Sequence, residues 1–172
     1  MKNYHTFEFI WNSYLGFSTI IFLTMNFIYF LMGTIPPLIF RKMGKFLSLK
    51  FGFVFSPRTD EIAFGEATEN VLQSNPKALI IKTSVYDMIS GLYLAFSMVH
   101  FCLIYFCLTH GEKWAFWAIS FSNSVIFIYY LMAAKNYSVK IAKLKFADLM
   151  PFATIPGILL PVAIILGYLG LY

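Results

Sequence analysis

The side chains able to do chemistry are few, and most of them sit in apolar surroundings. The 172 residues include three histidines, eight carboxylates and two cysteines. His100 lies deep in an apolar run, with Asp87, Ser90 and Ser97 on one broad side of the same helical stretch. A buried imidazole needs a hydrogen-bond partner, and within reach of a substrate it can pass a proton. His100 and Asp87 are therefore the candidate catalytic residues. Folding the next apolar run back about Glu112 places Asn123 opposite Phe101 and Ser124 opposite His100. Ser97, His100, Asn123 and Ser124 form the candidate substrate pocket, and the same groups can equally be interhelical glue.

Metal and redox chemistry find less support. His5 and Glu8 stand three apart near the start, and His110 and Glu112 share a turn. Two imidazoles with two carboxylates are a donor set for zinc or copper. Nothing in the sequence brings the two pairs together, so no metal site is assigned. Cys102 and Cys107 are five apart on one predicted helix and diverge by about 140°; they read as buried small apolar residues. There is no phosphate-binding glycine loop, HExxH, GxSxG, CxxC or histidine box. With no second histidine at the depth of His100, a bis-histidine haem has no basis, and the cofactor is unknown.

The elements that must carry these residues belong to a membrane. Apolar residues make up 59% and charged residues 12% of the chain, with mean hydropathy +0.72. An average soluble domain is about half apolar and about a quarter charged. These values exclude a soluble enzyme, a disordered chain and a disulfide scaffold. Lipid offers the backbone no hydrogen bonds, so each apolar run must be a closed helix or part of a closed barrel. No ten-residue alternation of a barrel occurs.

Four runs, residues 11–35, 84–108, 114–134 and 149–172, are long enough to cross as helices. The expected fold is an all-α integral membrane protein, a single domain over 1–172, with four antiparallel spans. Pro36 predicts that the first helix stops or bends at Ile35. Asn75-Pro76 reads as a cap and first-turn proline, so the second helix starts before Ser84. Pro151 falls in a first turn, while Pro156 and Pro161 predict a kinked fourth span. On the first helix Asn12, Gly16, Thr19, Asn26 and Gly33 share one side, the pattern of a helix–helix contact.

Orientation follows from the basic residues. Eleven of the thirteen Lys and Arg lie in two connections, about 41–76 with its approach to the second span and about 135–147. Such segments stay cytoplasmic, which predicts both termini outside. Trp11, Trp114 and Trp117 then anchor the outer interface. The first loop holds a predicted short amphipathic helix that starts at Ser56-Pro57 and runs to about Gln73. Thr109-His110-Gly111-Glu112-Lys113-Trp114-Ala115-Phe116-Trp117-Ala118 is similar to turns in small four-helix bacterial membrane proteins. That resemblance implies a bacterial cytoplasmic (inner) membrane.

Few intramembrane ionisable groups and compact loops point to a non-catalytic or accessory subunit of a larger membrane complex. The balance falls against an enzyme. The expected partners are the lipid bilayer and other membrane subunits or further copies, with no nucleic acid. Two alternatives remain: a small membrane enzyme or carrier for a lipid-like molecule with its pocket at His100 and Asn123, and an ion or proton path.

Overall fold

A computed structural model describes residues 9–42, 52, 53, 55–149 and 154–172. Among these the chain is helical, with six α-helices: α1 Tyr14–Lys42, α2 Pro57–Phe64, α3 Thr68–Ser74, α4 Pro76–Phe106, α5 Lys113–Lys140 and α6 Thr154–Leu171. Two short 3-10 turns, Leu108–His110 and Phe146–Leu149, precede α5 and α6. Three of the helices, α1, α4 and α5, are long and apolar enough to cross a membrane. The apolar stretch of α6, Ile155–Leu171, is shorter.

Local chemistry accounts for several boundaries. Asn75 caps α4, its side chain accepting from the Lys77 and Ala78 N–H groups at 3.1 and 3.3 Å, and Pro76 takes the first helical position. Ser56 caps α2 with a reciprocal bond from the Ser56 N–H to the Thr59 hydroxyl. The expected single amphipathic helix to Gln73 is divided, because Gly65 turns into the left-handed region at φ 75° and closes α2. A residue without Cβ adopts that conformation at little cost, and α3 restarts at Thr68.

Three expected boundaries need correction. The first helix does not stop at Ile35 but runs through Pro36 and Pro37 to Lys42. Each proline costs one helical donor, and membrane helices tolerate that loss. The third helix continues past Ala134 to Lys140, so half of the predicted second loop is helix. Leu149 lies in a 3-10 turn rather than in the fourth helix, whose described part spans Thr154–Leu171 with Pro161 as its interior proline. Pro151 lies outside the described residues.

α1 is the central helix, packed along both α4 and α6, whereas α5 touches α6 and, more loosely, α4. In lipid there is no hydrophobic drive between helices, so close approach and hydrogen bonds decide which faces meet. The predicted face of α1 is the buried one: Gly16, Thr19, Asn26 and Gly33 are enclosed, and Asn12 alone is exposed. At Gly33 a side chain would meet the Leu94 backbone nitrogen of α4 at 2.6 Å. The first turns of α1 meet the end of α6, where Gly170 lies against Leu15. Ser18 fixes the same pairing by donating to the Ala163 carbonyl at 2.7 Å.

The core sits toward the tryptophan-bearing end and comprises Leu15, Phe22, Met25, Ile104, Leu108, Phe116, Ile119, Leu160 and Ala163. Trp11, Trp114 and Trp117 are exposed at that end. The cysteines depart from expectation: Cys102 is exposed, and Cys107 caps α4 rather than lying inside it.

Candidate functional site

Five polar side chains of α1, α4 and α5 are almost wholly enclosed: Asn26, Ser97, His100, Ser120 and Asn123. Two cross-helix bonds join α4 to its neighbours in this polar set. Asn26 donates through Nδ2 to the Ser97 carbonyl at 2.9 Å, and His100 Nε2 lies 2.9 Å from the Ser122 hydroxyl. The Phe96 ring lies against the His100 imidazole, with centroids 3.9 Å apart. The partner of His100 is thus Ser122, two residues from the expected Ser124.

The other predicted pocket residues take separate places. The Ser97 hydroxyl donates to the Leu94 carbonyl at 2.8 Å, within its own helix. Asn123 likewise donates to Ile119 at 2.8 Å. Ser124 donates to the Ser120 carbonyl and lines a groove between α5 and α6. Asp87 is half-buried and lies thirteen residues from His100, ~20 Å along the helix axis. The cross-helix bonds thus join Asn26 to the Ser97 backbone and His100 to Ser122, while the Asn123 and Ser124 side chains donate within α5. Three atoms of the polar set, Asn26 Oδ1, Ser120 Oγ and Asn123 Oδ1, are buried without a hydrogen-bond partner among the described residues.

Of the loose metal set, His110 and Glu112 are exposed, and His110 Nδ1 lies 3.3 Å from the Thr109 hydroxyl. His5 and Glu8 lie outside the described residues. Among the described residues no group of three His, Cys, Asp or Glu is placed to hold a metal.

An ionic cluster lies at the basic end, and no sequence motif announces it. Asp148, in the 3-10 turn before α6, accepts from the Ser56 hydroxyl at 2.7 Å and the Lys145 N–H at 2.7 Å. The Arg58 guanidinium pairs with both of its oxygens and also donates to the Lys143 carbonyl at 3.2 Å. The bonds from Arg58 hold the Asp148 carboxyl well below the usual carboxylate range. Tyr137 of α5 donates to the Thr59 carbonyl at 3.3 Å, and the Phe55 ring packs edge-on against Tyr130 and Tyr137. Together these contacts strap the α2 segment across the α5–α6 connection.

A second carboxylate ties the same segment to α4. Asp60 is buried and accepts from the Phe53 N–H at 2.6 Å and the Thr68 hydroxyl at 2.9 Å. The charge of Lys82, itself buried, acts on it from α4. Burial pushes the Asp60 carboxyl up, against those two hydrogen bonds and the lysine. Tyr86, one turn beyond Lys82, donates to the Gly52 carbonyl at 2.9 Å. The one signal in the sequence was Lys82 itself, a charge on the same helical side as Tyr86, Ser90 and Ser97.

The site thus resolves into a bonded polar set inside the bundle and an ionic strap at its basic end. No family model, curated protein or solved structure matches the chain.

Proposed function

We propose that the chain crosses its membrane four times with both termini outside, and that it serves as a non-catalytic subunit packing on a partner helix. The span count draws on α6, eighteen residues or ~27 Å long, close to the ~30 Å hydrocarbon core. The orientation draws on the eleven basic residues of the two connections.

The observation that carries the subunit reading is the outward face of α4. Ser84, Met88, Gly91, Ala95, Met98 and Cys102 follow helical spacing, and all are exposed. Gly33 and Gly170 have neighbours that require the missing side chain, but a Cβ on Gly91 would meet nothing within 4 Å. Gly91 and Ala95 stand four apart, the small-xxx-small spacing that lets two membrane helices approach closely.

The polar set fits the same reading, since its two cross-helix bonds serve packing. Mild-detergent purification followed by native mass measurement tests it. The expected species exceeds one 19.8 kDa protomer, and Gly91→Leu reduces it to the protomer without lowering thermal stability. A wild-type chain found only as a lone protomer overturns the reading.

The enzyme or carrier alternative is favoured by one observation, the unpartnered oxygens of Asn26, Ser120 and Asn123, which could meet a ligand donor. The ion or proton path draws no support, because Ile104, Leu108 and Phe116 fill the interior beyond His100.

A further inference from the structure

The α5–α6 surface carries a groove of about 430 Å³, lined by Ser124, Phe127 and Ile128 on one side and Leu160, Pro161, Ile164 and Ile165 on the other. Its one polar group, the Ser124 hydroxyl, is bonded to the Ser120 carbonyl at 2.8 Å. Ser124, Ile128, Leu131 and Lys135 follow one another at i, i+4, i+7 and i+11, a single stripe down α5 toward the basic end. Leu131 and Lys135 are exposed, and Lys135 enters no ion pair among the described residues. It stands seven residues beyond Ile128, ~10 Å, and eleven beyond Ser124, ~16 Å. The longer distance is about half of the ~30 Å hydrocarbon core.

We infer that the groove and Lys135 together seat one anionic phospholipid, its acyl chain along the groove and its phosphate at the Lys135 ammonium. The inference rests on α5 and α6 both crossing the bilayer. An acyl chain from the leaflet at the basic end reaches the groove while its headgroup remains at the depth of Lys135. Lysine binds phosphate as a compact point charge, and cationic side chains at that leaflet attract anionic lipid. A helix in the groove would need small residues on its walls, whereas these walls are mostly branched or aromatic. A flexible chain conforms to such a surface.

The test is native mass measurement of the full-length protein in mild detergent, with phosphatidylglycerol or phosphatidylcholine added. The wild type is expected to retain one phosphatidylglycerol and to hold phosphatidylcholine at least tenfold more weakly. Lys135→Glu, an exposed change that leaves the interior intact, should abolish that preference. Ile164→Trp, which fills the groove, should weaken both lipids, and Lys143→Glu should change neither. Absence of retained lipid, equal losses in Lys135→Glu and Lys143→Glu, or a polypeptide displaced by Ile164→Trp would overturn the inference. Labelling of Tyr172→Cys from the side opposite Lys143→Cys checks the span of α6 separately, so the two failures are distinguishable.

Discussion

His100 and Ser122 join α4 to α5 across the bundle at 2.9 Å. Interhelical bonds in membranes average roughly 0.6 kcal/mol, because the separated helices also find partners. Ser122→Ala is accordingly expected to cost well under ~2 kcal/mol in detergent unfolding and to leave the helix content unchanged. Asp148 offers a larger effect with a definite sign. Its folded carboxyl is held below the unfolded value of about 3.9, so the strap stabilises fully above about pH 5 and fades as pH falls. The stability gap between wild type and Asp148→Asn should be flat from pH 5 to 8 and shrink toward acid, as read by thermal unfolding across pH.

At the scale of the helices, glycines separate contacts within the chain from contacts beyond it. Gly33→Leu would drive a side chain into the Leu94 backbone and should loosen α1 from α4, with a large loss of thermal stability. The same change at Gly91 meets open space and should leave stability within about 0.5 kcal/mol, its effect appearing only in assembly. Measuring both variants side by side tests whether the two faces of α4 have these different duties. The cap of α4 at Asn75, the cap of α2 at Ser56 and the packing face of α1 were legible in the sequence. Each depends on residues within a few positions of one another. The run of α1 through Pro36 and Pro37 was not, because the proline penalty is local while the packing that outweighs it is not.

For the whole molecule, the basic end and the tryptophan end do different work. Apolar side chains close the tryptophan end, where Lys113 also lies over the Tyr172 ring at 3.9 Å and Trp117 donates to the Tyr172 hydroxyl at 3.3 Å. The Arg58–Asp148 ion pair and aromatic contacts close the basic end. Under the proposed orientation, a cysteine at position 143 should resist an impermeant thiol reagent applied to intact cells. One at Tyr172 should react. This labelling uses a background lacking Cys102 and Cys107, since Cys102 is exposed.

The sequence by itself determined that this is a helical chain with three runs long and apolar enough to cross a membrane, where α2 and α4 begin and which side of α1 is buried. Composition, i to i+4 spacing and capping chemistry carry that information locally. Only the tertiary structure decided that α1 is the central helix, that Ser122 meets His100, and that Arg58 and Lys82 find Asp148 and Asp60. Those pairings depend on the rotation and tilt of packed helices, and a change of two residues in register selects a different partner.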